Sequence, residues 1–203
     1  MSLKYYHLLC RDFLTQKYRF LLLFAVLAFL MLCFGLSGVH IVAFLGIICF
    51  APKVVELAAS GDVMEGCEDF LLTTRFSRKD VVKARYLLFA ASLVIIFLIG
   101  VLLCLITEGL QPLLIPALAC SILYGSVSIP VCCLLDSDMT NPSKIGLTVL
   151  SFFQFGILIG SVVLFTTQTE SILMPGFGIL AASLVICAVS YLISQRIYAK
   201  KEF

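Results

Sequence analysis

Charge is what this sequence has least of. Asp, Glu, Lys and Arg make up 13% of the 203 residues, where soluble domains carry about 25%, and hydrophobic residues make up 62%. So little polar surface cannot wrap a water-soluble globule, and the chain reads as an integral membrane protein. Other absences narrow the chemistry. No glycine is followed by lysine, so a phosphate-binding G-x-x-x-x-G-K-[ST] loop is excluded, and with it ATP hydrolysis by that route. Histidine occurs only as His7 and His40, no H-E-x-x-H is present, and no acidic pair lies within an apolar run where it would activate water. An intramembrane hydrolase is left without its acid, base or nucleophile cluster. The nine cysteines include no C-x-x-C. Cys33, Cys49, Cys104, Cys120, Cys132, Cys133 and Cys187 fall in apolar runs, where free thiols behave as small hydrophobes. A thiol oxidoreductase is thereby disfavoured.

What is present is a series of apolar runs, each long enough to span a hydrocarbon core of ~30 Å, which takes about 20 helical residues. Six spans are expected, at residues 20–37, 39–51 continued towards 58, 86–106, 112–135, 145–165 and 172–194. Each run is single and continuous, whereas barrel strands alternate apolar and polar residues. In lipid the backbone amides must bond within their own segment, so the predicted fold class is an all-α integral membrane protein of six transmembrane helices. The first run is too long for a signal-peptide core and lacks a small-residue cleavage site, so it is expected to be retained. Residues 1–19 place Leu3, Tyr6, Cys10, Phe13 and Leu14 at helical spacing, the pattern of a helix lying in the membrane interface.

Basic residues lie on one side only. Lys4, Arg11, Lys17 and Arg19 precede the first span. Lys53, Arg75, Arg78, Lys79, Lys83 and Arg85 lie around the second connection, Lys144 between spans four and five, and Arg196, Lys200 and Lys201 after the sixth. The opposite connections hold Glu108 and Glu170 but no base. By the positive-inside rule both termini are cytoplasmic.

Proton- and sodium-driven carriers usually place ionisable groups at membrane depth, and these spans are nearly bare of them. The nearest case is Lys53 and Glu56, read as a helical pair at the cytoplasmic end of the second span, where the lysine can snorkel. The densest charge is in the connection from residue 60 to 85. It holds Asp62, Glu65, Glu68 and Asp69, then the apolar strip Phe70, Leu71 and Leu72, then Arg75, Arg78, Lys79, Asp80, Lys83 and Arg85. Ser77 with Asp80 reads as a capping box that starts the third membrane helix near Arg78. Topology signals explain the bases but not the acidic block joined to an apolar triplet.

That order of residues resembles the small six-helix permease subunits of type-2 ATP-binding cassette exporters, the group associated with lantibiotics and other toxic peptides. The match is carried by Leu71, Leu72, Ser77, Arg78, Lys79, Asp80, Arg85, Tyr86 and Leu87, by Ser128-Ile129-Pro130, and by the ending SYLISQRIYAKKEF. It departs from the family pattern at Thr74 and Arg75, where Leu-Pro is common, and in the weakly basic LLDSDMTNPSK connection. The resemblance implies a single permease domain over 1–203: an interfacial elbow helix (1–19), helices 1–2 (20–58), a cytoplasmic coupling loop (59–85), helices 3–4 (86–135), a short loop (136–144), helices 5–6 (145–194) and a tail (195–203). It implies a bacterial cell membrane, a cytoplasmic cassette ATPase that carries ATP and Mg, and a second permease copy or a related permease. No cofactor of its own and no nucleic-acid partner are expected. In such permeases the first cytoplasmic loop forms a coupling helix in a groove of the ATPase. Phe70, Leu71 and Leu72 are the expected anchors, with Glu65, Glu68, Asp69, Arg75, Ser77 and Arg78 around them. Gly156 and Gly160, and Ala117, Ser121 and Gly125, are small-residue spacings that let helices approach closely, within a subunit or between two. Pro116, Pro130 and Pro175 are expected to kink their helices. The competing readings are a stand-alone channel or secondary carrier, which would work in liposomes without an ATPase, and a membrane scaffold or sensor.

Overall fold

The computed structural model describes residues 40–64, 77–106, 114–134 and 173–200, together with the single helical positions Tyr18, Leu21, Ala25, Phe29, Val149 and Gly156. Four helices cover these stretches: α1 (His40–Met64), α2 (Arg78–Ile106), α3 (Leu114–Cys133) and α4 (Leu173–Lys200). There is no strand among the described residues. Three segments, Lys79–Leu102, Leu114–Cys133 and Phe177–Lys200, are long and apolar enough to cross a membrane. The expected third, fourth and sixth spans thus fall on α2, α3 and α4, and the residues of the expected second span lie along α1, which is not among the three. The expected first and fifth spans, the interfacial helix and the strip at Phe70 lie outside the described residues, apart from the single positions.

α2 begins well before its apolar run, at the expected cap. Ser77 Oγ accepts from the Asp80 amide at 3.3 Å, the Asp80 carboxylate accepts from the Ser77 amide at 3.1 Å, and the Ser77 hydroxyl donates to the same carboxylate at 2.8 Å. Two orphan amides of the first turn are satisfied reciprocally, which contributes about 1 kcal/mol.

The contacts give the helix directions. Ser92 of α2 reaches the Ala51 carbonyl of α1, while nearer the other end Gly100 meets Ile47 and Leu114, so α2 runs against both α1 and α3. Glu56 bonds Tyr124 and Ser190 bonds Ser126, so α1, α3 and α4 run together. Alternating spans require this of the second, fourth and sixth against the third.

Packing divides the core in two. One cluster gathers Ile47, Ile48, Phe50, Val54, Ile96, Leu114 and Ala117. The other, nearer Arg78 and Lys200, gathers Val55, Val81, Val82, Phe89, Ile129 and Tyr198. Ala117, Ser121 and Gly125 are buried inside the subunit, so this stripe serves packing within one chain. Gly156 is exposed, with nothing within 4 Å of a Cβ placed on it. The outer faces are apolar: Val94, Leu98, Leu102 and Leu105 on α2, and Leu184, Val185, Val189 and Leu192 on α4, are exposed. A lipid-facing surface is built this way.

Candidate functional site

Polar side chains converge in the half of the bundle that carries the basic helix ends. Glu56 joins α1 to this cluster. Its Oε2 pairs with Lys53 Nζ at 2.5 Å, one turn back on α1, and its Oε1 accepts from the buried Tyr124 hydroxyl of α3 at 2.5 Å. Both carboxylate oxygens are therefore engaged, one by a neutral donor and one by a cation. Tyr124 stands midway along the 20 residues of α3, about 12 Å of helical rise from Cys132. The Lys53–Glu56 pair expected from the sequence is formed, on the part of α1 that faces Tyr124.

Arg85 occupies the rim. Instead of a solvated topology signal it is a buried side chain, 3% exposed. Its Nη1 donates to the Cys132 carbonyl at 3.3 Å and lies 3.7 Å from Cys133 Sγ. Its guanidinium lies over the Tyr198 ring, 5.6 Å from the centroid. A cation placed on the last-turn carbonyls of α3 satisfies an orphan acceptor and complements the helix dipole. The stacking on Tyr198 adds a cation–π contact, so one side chain joins α2 to both α3 and α4.

Next to it runs a chain of hydroxyls with a defined direction. Pro130 has no amide hydrogen, so the Ser126 carbonyl, four residues back, loses its helical partner. Ser190 Oγ of α4 supplies the missing donor at 2.6 Å. The Ser190 proton being so committed, Tyr86 must donate to Ser190 at 2.7 Å, and Ser194 must donate to Tyr86 at 3.0 Å. Tyr86 also packs edge-on against Tyr191, centroids 5.2 Å apart, and the Tyr191 hydroxyl accepts from Gln195. Thus the Arg85-Tyr86 pair beside Leu87, together with Pro130 and the Tyr191 to Tyr198 segment, meet in space at one end of the bundle.

Of the expected docking residues, Ser77 is exposed at the cap of α2 and Arg78 is that helix's first residue. Glu65, Glu68, Asp69, Phe70, Leu71, Leu72 and Arg75 lie outside the described residues. The sequence reading missed Tyr124 and Ser126, and gave Ser190, Ser194 and Tyr198, which lie in the ending SYLISQRIYAKKEF, no contact. For three of them a signal existed: Ser190, Ser194 and Tyr198 recur every four residues in an otherwise apolar helix and share one face. No group of three or more metal-ligating side chains occurs among the described residues. Chemically the cluster can hold helices in register and pair a partly buried charge. Compared with known proteins, residues 7–199 match the family model described as ABC-2 family transporter protein. No curated protein matches the chain, and no solved structure matches it.

Proposed function

The chain belongs to the ABC-2 transporter family, as the membrane permease component, and on that premise we propose that it is the permease subunit of an exporter of amphipathic toxic peptides, driven by a separate cassette ATPase. The observation that supports the permease part of this reading is a family match running almost end to end, and the peptide substrate and export follow from the resemblance carried by residues 71–87. The chain itself lacks a phosphate-binding loop, so ATP and Mg belong to the partner. The six helices expected from the sequence are too few to surround a peptide, which favours two permease copies, or one with a related partner.

In this reading the connection between α1 and α2 is the coupling element. Phe70, Leu71 and Leu72 fill a groove on the ATPase, and Glu65, Glu68, Asp69, Arg75, Ser77 and Arg78 set register around them. The contacts of Arg85 and Tyr86 support it, because they tie the first turns of α2 to α3 and α4. A push on the loop then moves three helices together, on the microsecond-to-millisecond scale of domain motion or slower.

The test is co-expression with neighbouring genes followed by purification. A cassette ATPase is expected to be retained, and replacing Phe70, Leu71 and Leu72 with Ala is expected to weaken its retention while membrane insertion stays intact. A permease that retains no ATPase under any condition sinks the proposal.

A further inference from the structure

On the outer face of α4 we infer a binding site for an anionic phospholipid: Arg196 and Lys200 hold its phosphate, and an acyl chain lies along Leu192, Val189 and Val185. The site requires only that α4 crosses the membrane, and it stands whatever the chain transports.

The register of α4 brings these residues together. Val185, Val189, Leu192, Arg196 and Lys200 follow one another at intervals of four, three, four and four residues, which puts them on one face of the helix. All five are exposed. The face that bonds the rest of the bundle is the other one. Ser194 and Tyr198 are buried and stand two residues to either side of Arg196, about 200° round the helix. The length of the stripe agrees with a headgroup position for the bases. From Phe177, where the apolar segment starts, to Arg196 the helix rises about 28 Å, close to the ~30 Å of a hydrocarbon core. Lys200 stands one turn further on. The apolar part of the stripe thus runs beside acyl chains, and its two cations end it at the level of the headgroups.

Charge selects the lipid. Among the described residues neither base has a carboxylate partner. Arg85 is turned inward, onto the Cys132 carbonyl and the Tyr198 ring, whereas Arg196 is turned outward, where lipid is the neighbour. A guanidinium offers a planar fork to two phosphate oxygens and an ammonium adds a point charge, so the pair suits a phosphodiester that carries net negative charge. A zwitterionic headgroup brings a cation of its own to the same place and gains less. Lys79 and Lys83 make a second pair of bases four residues apart, on α2. Tyr86 of α2 bonds Ser190 and Ser194 of α4, which sets the two pairs within about a helical turn of the same level. The pair on α2 has no arginine and its Lys83 is half-buried, so it serves as the comparison.

The experiment is native mass spectrometry of the full chain, delipidated in non-ionic detergent and titrated with phosphatidylglycerol or phosphatidylcholine of identical acyl chains. Wild type is expected to retain phosphatidylglycerol at roughly thirtyfold lower concentration, the scale of two bases at an anionic surface. Arg196→Gln with Lys200→Gln is expected to erase that preference. Each single variant is expected to lose roughly fivefold, which keeps the test open if the double variant fails to fold. Lys79→Gln with Lys83→Gln removes the same charge from the same end of the bundle and is expected to keep the preference. Inorganic phosphate is expected not to displace the lipid, because the acyl chain contributes to its hold. Overturning results are equal retention of both lipids by wild type, an undiminished preference in the Arg196 and Lys200 variants, an equal loss in the Lys79 and Lys83 variant, or displacement by phosphate, which would mark a site for a free anion.

Discussion

At Gly125 the room for a side chain is already filled. A Cβ placed there would stand 2.2 Å from Cζ of Phe89 and 2.4 Å from its Cε2, and Phe89 is itself buried between α2 and α3. The ring lies flush on α3 because residue 125 has no side chain. Gly125→Ala forces either the ring or the helix aside, and overpacking of this kind costs about 1–3 kcal/mol. The unfolding temperature in detergent is expected to fall. Gly178→Ala is the control: nothing lies within 4 Å of its would-be Cβ, and the exchange favours an exposed helical position by up to about 1 kcal/mol, so stability is expected to hold or rise. Sequence spacing named Gly125 as a place of close approach but could not name the ring that approaches it.

At the scale of the helix, α4 is built inside out. Ser183, Ser190 and Ser194 are buried while Leu184, Val185 and Leu192 are exposed, because lipid is the solvent on its outer face. Its grip on α3 depends on the carbonyl that Pro130 leaves open, and a double-mutant cycle tests that dependence. Ser190→Ala alone is expected to destabilise by about 0.6–1.7 kcal/mol, the measured scale of hydrogen bonds between membrane helices. Pro130→Ala returns an amide to the Ser126 carbonyl, so Ser190→Ala should cost less in that background. Equal costs in both backgrounds would show that Ser190 does not replace the missing amide. Much of this level was legible beforehand. Apolar runs placed the four helices, and the Ser77–Asp80 box placed the start of α2, since both signals are local. The bond between Glu56 and Tyr124 and the burial of Arg85 were not legible, because each depends on which residue of a distant helix stands opposite, and no local pattern encodes that.

For the whole molecule, the exposed bases Lys79, Arg196 and Lys200 gather at one end of the bundle, where α2 starts and α4 finishes. Positive charge is retained on the cytoplasmic side of a membrane, so this end is expected to face the cytoplasm. In a variant freed of native cysteines, Lys200→Cys should react with a membrane-impermeant thiol reagent in inside-out vesicles and not in intact cells. The reverse pattern would invert the topology and remove the loop between α1 and α2 from reach of any cytoplasmic ATPase. If the loop does drive the bundle, α2 and α3 must separate at some stage of each cycle, and the Phe89 ring will register it. The ring lies so close to Gly125 of α3 that its rotation is expected to be hindered while the helices are closed and to be released when they part. Its flip frequency is therefore a clock for the opening of the bundle, and the clock sits in the middle of the protein.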